Sequence, residues 1–299
     1  MELRHLRYFI AVAENRSFRV AAERIHVTQP AITRQIQDLE AEVGVALFQR
    51  TTVGVMLTPA GELFLREVRV ALSILTAATL SAKRVSAGLE GSLRIGFVEN
   101  SSWEGLVPDA FARYQAQAPD VHLELLPLNS PEQVESLLAD RIDGGFIYRF
   151  EELPAEINTI PLLHKGALLA VPRQWGWPDD RPVRASELND KPVIAFPRDT
   201  YPSYHDYLIQ ACREAGLTLN VVQEVTTEAA ILSLVSAGIG AAIVNAGNLS
   251  RRPARVQFLE LADLPLAMPL TFAYTRQNQN PALARFIVML EALRAEMTR

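Results

Sequence analysis

The segment SFRVAAERIHVTQPAITRQIQDLE, residues 17–40, decides the fold of the N-terminal part of the chain. Ser17 is a suitable N-cap for a short helix from Phe18 to Ile25. Alanines at the centre of this helix are small, so it can pack closely against a second helix that begins near Thr28, after a tight turn. The pattern predicts a helix-turn-helix, whose second helix projects into a groove of double-stranded DNA.

The second helix has an apolar face and a polar face. The apolar residues that recur at helical spacing, and are expected to face inward, are Ala31, Ile32, Ile36, Leu39 and Val43. On the polar face, the Gln29 amide can bind adenine or phosphate, and the Arg34 guanidinium can reach guanine or phosphate. In an arbitrary helix, Arg34 and Gln37 would simply be solvated. The candidate DNA contacts from this helix are Thr28, Gln29, Pro30, Ala31, Thr33, Arg34 and Gln37.

The flanking sequence completes a winged domain over residues 1–58. Apolar residues at helical spacing predict a preceding helix that ends near Asn15. Gly44 ends the second helix of the motif, and the β-branched residues of 45–57 predict a short β-hairpin, the wing. An all-α winged helix-turn-helix domain is therefore expected at this end of the chain.

Positive charge at the DNA-binding end is modest. Residues 1–90 hold 11 Lys and Arg against 9 Asp and Glu, whereas the whole chain carries a net charge of -5. This balance argues against indiscriminate nucleic-acid binding. Arg50, which enters the hairpin, is a further candidate contact to phosphate or to the minor groove; an ion pair with Glu40 or Glu42 is the alternative.

A long helix is predicted from Thr58-Pro59, an N-cap followed by a proline in the first turn. Its apolar and small residues recur at alternating spacings of 4 and 3: Phe64, Val68, Ala71, Leu75, Ala78, Ala82 and Val85. This heptad pattern predicts a dimerising linker helix over residues 59–90, with a hinge at Gly88 and Gly91. A helix that lies on a domain surface is the alternative.

The rest of the chain alternates between strand and helix patterns, which predicts two α/β lobes with mainly parallel strand pairing. Lobe I is expected to hold residues 91–162 and 268–299, and lobe II residues 163–267. The last strand and helix return to lobe I because they cannot form a domain alone. The chain then crosses between the lobes twice, near residues 161–167 and 263–270, which builds a hinged cleft.

The composition indicates a globular protein, with 49% hydrophobic residues among 299 and a mean hydropathy of +0.08. The longest nearly apolar run, residues 229–244, is interrupted by Ser and Gly and is too short to span a bilayer, so no membrane partner is expected. The first residues lack the apolar core of an export signal, which predicts a cytoplasmic location. The single cysteine, Cys212, excludes an internal disulfide, and its helical setting favours core packing over redox chemistry.

The N-terminal residues closely resemble the DNA-binding domain of LysR-type transcriptional regulators. Besides the helix-turn-helix, the matching positions are Gly44, Leu47-Phe48, Arg50, Leu57-Thr58 and Ala60-Gly61. The remainder resembles the inducer-binding domain of that family through RIG at 94–96, RIDGGF at 141–146 and SAGIG at 236–240. The resemblance covers the full chain and implies a two-lobed effector domain like that of periplasmic binding proteins. Within the family, the chain looks most like regulators that respond to small acids of aromatic catabolism.

The resemblance also implies a function and a set of partners. The protein is expected to be a transcriptional regulator and not an enzyme, with double-stranded promoter DNA and further copies of itself as partners, in a homodimer or homotetramer. RNA polymerase is an expected partner if the regulator is an activator. No cofactor is expected apart from a small-molecule inducer, for which an aromatic or dicarboxylic acid is the favoured class.

The inducer is expected at helix N-termini that face the cleft, because their free amides attract anions. By resemblance, the effector-binding candidates are Ser101, Ser102, Ser130, Tyr148, Arg198, Asp199, Thr200 and Thr227. The serines and threonines could simply cap helices, Tyr148 could belong to the core, and Arg198 could pair with Asp199 or Asp206. Glu99 lies in a loop one residue longer than its counterpart in the family and could repel an anion.

Three other classes of protein fit the sequence less well. An enzyme is disfavoured because no nucleophile elbow, Walker loop, dinucleotide fingerprint or zinc-protease motif occurs, and the five histidines do not form a ligand-spaced cluster. A periplasmic solute-binding protein shares the cleft but has no use for residues 1–61. A DNA-architectural protein would need a stronger basic excess and no cleft.

Overall fold

The computed structural model describes residues 1–51, 54–102, 105–178 and 181–297, and for Thr51 and Ser102 it describes the backbone alone. The chain divides into two compact units, Met1–Lys83 and Arg84–Arg299. In the part of the chain that is described, no helix combines the length and apolarity needed to cross a membrane.

The first unit contains the predicted helix-turn-helix and wing. Its elements are α1 (Leu3–Asn15), α2 (Phe18–Arg24), α3 (Gln29–Val43), β1 (Phe48–Thr51), β2 (Gly54–Leu57) and the long α4 (Pro59–Ser86), which continues into the second unit. Ser17 caps α2 by accepting a hydrogen bond from Val20 N at 3.3 Å. Gly44 ends α3 with a φ of 81°, a left-handed conformation that glycine adopts without strain. The local signals in the sequence therefore place these helix ends correctly.

The core of the first unit joins the three helices to the wing. Ala21 and Ala22 are buried at the crossing of α2, and the Phe9 ring lies 5.2 Å from the Phe48 ring of the wing. The Glu40 carboxylate accepts hydrogen bonds from the backbone amides of Leu47 at 2.7 Å and Phe48 at 3.0 Å. This carboxylate links α3, the helix predicted to enter the DNA groove and called the recognition helix below, to β1. The recognition helix and the wing are therefore held as one body.

Two predicted faces differ from the structure. Ala31, expected to face inward, is exposed, because the buried stripe of α3 consists of Ile32, Ile36 and Leu39. In α4, Phe64 and Val68 pack into the core of the first unit, so the first two positions of the heptad pattern are used within one copy of the chain. The large apolar side chains that α4 does expose are Leu63, Val70, Ile74, Leu75, Leu80 and Val85.

The second unit begins with β3 and ends with α9. Its strands are β3 (Gly91–Phe97), β4 (Val121–Pro127), β5 (Gly144–Tyr148), β6 (Ile157–Pro172), β7 (Pro192–Ala195), β8 (Asn220–Glu224), β9 (Ala242–Asn245), β10 (Val256–Leu259) and β11 (Ala267–Thr275). Its α-helices are α5 (Leu106–Gln117), α6 (Ser130–Leu138), α7 (Pro202–Glu214), α8 (Glu228–Ser236) and α9 (Pro281–Met297). The alternation of strands and helices agrees with the predicted α/β class.

The prediction of mainly parallel pairing is wrong for the strands described. β3 pairs in parallel with β4 and β5, and β7 with β8, but β6 pairs antiparallel with β9, β10 and β11, and β11 pairs antiparallel with β5. The cause is the double crossing between the lobes. The chain leaves lobe I along β6 and returns along β11, and two neighbouring strands that cross in opposite senses must be antiparallel.

Separate hydrophobic cores occupy the two lobes. The lobe I core includes Leu93 and Phe286, and the lobe II core includes Leu169 and Cys212. β6 contributes to both cores, through Ile160 on one side and Leu169 on the other. The two crossing strands are therefore the structural connection between two independently packed bodies.

We expect the Cys212 thiol to be inert in the folded protein. Its side chain is 1% exposed, and burial raises its pKa to about 11, so little thiolate forms at neutral pH. Reaction with Ellman's reagent at pH 8 should be at least ~100-fold slower than in the guanidinium-unfolded chain. The Cys212→Ser variant provides the blank, and rapid labelling of the native protein would contradict the packing described for lobe II.

Candidate functional site

The recognition face lies on α3 and the wing. The candidate DNA contacts whose side chains are exposed there are Thr28, Gln29, Pro30, Ala31, Arg34, Gln37 and Arg50. Thr33 is half-buried, and its hydroxyl donates to the Gln29 carbonyl at 2.8 Å. Glu40 accepts from the amides of the wing and Glu42 pairs with the N-terminal ammonium of Met1, so among the described residues neither forms the ion pair that was the alternative for Arg50.

The N-terminus of α3 is open to a negatively charged partner. Thr28 occupies the N-cap position, but its side chain makes no capping hydrogen bond, and no acidic side chain lies in the first turn. The backbone amides of this turn therefore keep their donors, and the positive end of the helix dipole is not neutralised. A phosphate group suits this position, while Arg34 one turn further along can reach a base edge.

A cleft of about 830 Å³ lies between the two lobes. Lobe I contributes the ends of β3 and β5 and the start of α6, and lobe II contributes the starts of α7 and α8 and the end of β9. A volume of this size accommodates a small organic molecule. The cleft therefore forms where the double crossing of the chain predicted it.

Four predicted effector residues line this cleft: Ser130, Tyr148, Thr200 and Thr227. The Ser130 hydroxyl accepts a hydrogen bond from Tyr148 N at 3.0 Å, and Thr227 caps α8 by accepting from Ala230 N at 3.2 Å. Tyr148 also packs against the cores of both lobes. The structural alternatives therefore hold for Thr227 as a cap and for Tyr148 as a core residue, whereas the cap of α6 is Asn129 and not Ser130.

The cleft lining does not include Ser101, Arg198 or Asp199. Arg198 is exposed and forms a two-point ion pair with Asp206, with both N to O distances 2.9 Å, which lowers the pKa of Asp206 to about 2. Neither Arg198 nor Asp199 is among the lining residues. Ser101 is buried and donates to the Val98 carbonyl at 2.7 Å. The side chain of Ser102 lies outside the described part of the structure.

A buried polar cluster around Glu228 was missed by the sequence analysis. One carboxylate oxygen of Glu228 accepts from Asn245 N at 3.0 Å, and the other accepts from the side-chain amides of Asn248 at 2.8 Å and of Asn100. Asn100 belongs to lobe I, so this contact links the lobes across the inner end of the cleft. Burial raises the pKa of the Glu228 carboxyl, although the three donated hydrogen bonds act in the opposite direction.

No local signal distinguishes Glu228. An acidic residue in the first turn after a threonine cap is common, because it complements the helix dipole. The partners of Glu228 are 17, 20 and 128 positions away in the chain, so only the tertiary structure brings them together. Asparagines at the ends of strands, such as Asn245, also occur widely in turns and give little indication of a site.

The fold and these two surfaces define a class of protein, a DNA-binding protein with an attached small-molecule cleft. Residues 3–62 match the family model for bacterial regulatory helix-turn-helix proteins of the lysR family, and residues 86–295 match the model for the LysR substrate binding domain. The chain belongs to the LysR family of transcriptional regulators. It is a regulator and not an enzyme.

Relatives align along nearly the whole chain. The regulator AlsR of Bacillus subtilis is 36% identical over 96% of this chain and 94% of its own, and ClcR of Pseudomonas putida is 34% identical over 97% and 98%. The crystal structure of full-length CbnR complexed with its target DNA has a TM-score of 0.83 and 30% identity, covering 98% of this chain and 100% of that one. The likeness therefore includes both the DNA-binding and the effector-binding parts.

We expect Arg34→Ala to lower the affinity for a specific DNA site by ~1 to 3 kcal/mol, because a base-edge or phosphate contact is lost. The site is first selected from a random-sequence DNA pool by the wild-type protein, and affinity is then measured by gel shift at fixed salt. Arg213→Ala, which removes an exposed arginine from α7, is the control and should bind normally. If Arg34→Ala binds as tightly as the wild type, Arg34 is not part of the DNA interface.

Proposed function

We propose that this regulator binds promoter DNA as a homodimer or homotetramer, and that a small-molecule inducer in the inter-lobe cleft modulates promoter binding or activation. The observation that carries this proposal is the presence, in one chain, of an exposed recognition helix with an open N-terminus and a cleft of about 830 Å³ between two separately packed lobes.

The small positive charge of the DNA-binding end favours a regulator that binds DNA as paired chains. The excess of positive charge over residues 1–90 is two, so a single head binds DNA weakly, and two linked heads gain affinity from their effective concentration. The exposed apolar side chains of α4 offer a surface on which two copies can pair. A second contact between the α/β units would then produce the homotetramer.

The inducer acts in this proposal through the relative placement of the two lobes. A ligand that binds one arrangement of the lobes better than another shifts the population towards that arrangement, by no more than the difference in its two affinities. The altered lobes then reposition the DNA-binding heads within the assembly. If the regulator is an activator, the proposal includes a contact between the regulator and RNA polymerase.

The cleft favours the acidic inducer expected from the family resemblance in one respect and disfavours it in another. Three helix N-termini reach the cleft, those of α6, α7 and α8, which favours an acid. Arg198, the residue chosen to bind a carboxylate, instead pairs with Asp206 outside the lining. An aromatic or dicarboxylic acid thus lacks the cationic partner that was proposed for it, and the aromatic-catabolism branch has no support from the site.

The proposed function is tested by combining DNA selection with a metabolite screen. DNA recovered from a random pool should share a motif with two half-sites, and DNase I should protect a region that covers both. Metabolites that raise the melting temperature should also change that footprint or the output of a reporter promoter. Enrichment of no common motif would contradict the proposal.

We expect the double variant Ile74→Glu, Leu75→Glu to weaken self-association by at least ~100-fold, because charged side chains would be buried in the α4 contact. Both positions are exposed in one copy, at 62% and 44%, so the fold of a single chain should tolerate the change. Sedimentation equilibrium at micromolar protein gives the mass. Val288→Glu, at an exposed position of α9, is the matched control. A wild type that is strictly monomeric would remove the dimer from the proposal.

We expect Ala229→Trp to abolish the response to inducers, because residue 229 lines the cleft at the start of α8 and an indole would fill it. Compounds that raise the melting temperature of the wild type should not change the melting temperature of this variant. Its affinity for DNA should stay within about twofold of the wild type. Ser233→Trp, on the exposed side of the same helix and outside the lining, should respond normally. An undiminished response in Ala229→Trp would place the ligand elsewhere.

A further inference from the structure

We propose that the inducer is a small organic cation, an amine whose ammonium group binds at the inner end of the cleft beside Asn100, Tyr148 and Glu228. The inference rests on the proposed function, because it assigns a ligand class to the same cleft. It replaces the carboxylate expected from the family resemblance.

The first argument is the charge of the cleft wall. Among the lining residues of the described chain, six are glutamates, Glu99, Glu132, Glu135, Glu151, Glu152 and Glu228, and one is a cation, Arg149. The ammonium of Lys165 lies next to Gly247, near the Asn245 side chain and the Asn100 carbonyl, and is not part of the lining. Inside a cleft, where low-dielectric walls concentrate the field, this imbalance attracts cations and opposes anions.

The second argument concerns the helix N-termini, which favour an anion only where their amides and dipoles are free. In α6, Asn129 already accepts from Glu132 N at 2.9 Å, and the Glu132 carboxylate accepts from Asn129 N at 2.9 Å. In α8, Thr227 caps the helix and Glu228 lies in the first turn. Because these two ends carry their own carboxylates, their partial positive charge is neutralised before a ligand arrives. Of the three helix starts at the cleft, α7 alone has neither a capping side chain nor an acidic residue in its first turn.

The third argument is a set of buried polar atoms without hydrogen-bond partners. These atoms are the Asn100 side-chain oxygen and the Tyr148 hydroxyl, and both residues line the cleft. Asn245 Nδ2 faces the Tyr148 hydroxyl without forming a hydrogen bond of normal geometry. Leaving such groups unpaired costs free energy, so this end of the cleft is built for a polar ligand.

An ammonium group matches these atoms better than a carboxylate. It can donate to the Asn100 oxygen and to the Tyr148 oxygen once these buried side-chain atoms turn towards the cleft, while the Glu228 carboxylate supplies the opposite charge. A carboxylate at this end of the cleft would lie against the Glu228 charge. A hydroxyl or carbonyl oxygen elsewhere on the cation can accept from Asn245 Nδ2.

Aromatic rings complete the site. Phe196 lies 4.6 Å from Tyr201 and 5.9 Å from Tyr204, and Phe150 lies 5.1 Å from Tyr204, measured between ring centroids. All four residues line the cleft. The negative faces of such rings attract cations and also pack against an apolar ligand body. The site therefore fits an amine with an aromatic or aliphatic body.

Three probes that differ in one group test the ligand class. They are 2-amino-1-phenylethanol, mandelate and mandelamide, which present an ammonium, a carboxylate and a neutral amide on the same hydroxylated phenyl body. Each is titrated by calorimetry into the full-length protein, up to about 10 mM. The amine should bind at least ~10-fold more tightly than the other two. Tighter binding of mandelate or mandelamide, or no binding of any probe, overturns the proposal.

Variants locate the ammonium group. Glu228→Gln keeps the size of the side chain but removes its charge, and should weaken amine binding by at least ~10-fold while leaving any binding of mandelamide unchanged. Tyr148→Phe removes one hydroxyl group, should fold normally, and should weaken amine binding severalfold. Glu62→Gln changes an exposed side chain in the first turn of α4. This variant is the control and should bind the amine as tightly as the wild type. Unchanged amine affinity in Tyr148→Phe and in a folded Glu228→Gln overturns the proposal.

The outcomes separate this inference from the proposed function. If mandelate or mandelamide binds instead, and Ala229→Trp abolishes that binding, the cleft is an inducer site and only the cationic class is wrong. If DNA selection yields no motif, the proposed function fails, whichever probe binds. Selective amine binding that depends on Glu228 and is lost in Ala229→Trp supports both.

Discussion

The side-by-side crossing of β6 and β11 is the constraint on which the effector-binding part depends. Nine-residue β11 pairs along β6, a strand of 16 residues that contributes to the cores of both lobes. Because both connections between the lobes run through this one ribbon, the lobes face each other across a cleft. The pairing changes register between Leu270 and Thr271, at the level of that cleft. An irregularity in a shared ribbon is a place where two rigid bodies can adjust.

The Glu228 cluster occupies the inner end of the cleft and connects the two lobes a second time. Its hydrogen bonds to Asn245 and Asn248 stay within lobe II, whereas the bond from Asn100 crosses from lobe I. A ligand that binds next to this carboxylate competes or cooperates with the Asn100 contact. The geometry thus links occupancy of the cleft to the relative placement of the lobes, as regulation by an inducer requires.

Features that depend on residues close together in the chain could be predicted from the sequence, whereas contacts between residues far apart in the chain could not. The N-cap at Ser17, the turn before Gln29 and the glycine end of α3 are all local, and the structure agrees with each. The ion pair of Arg198 with Asp206, 8 positions away, is local as well, and the sequence offered it as the alternative to a ligand contact. Asn100 and Glu228 are 128 positions apart, and no pattern of caps or periodicity connects them.

The sequence by itself determined the class of protein, through the helix-turn-helix, the alternation of strands and helices, and the family resemblance that covers the full chain. These properties depend on side-chain size, periodicity and turn residues over short segments. Only the tertiary structure decided the antiparallel crossing and the charge of the cleft wall. Six glutamates from separate segments become neighbours there, because electrostatic character depends on proximity in space and not on order in the chain.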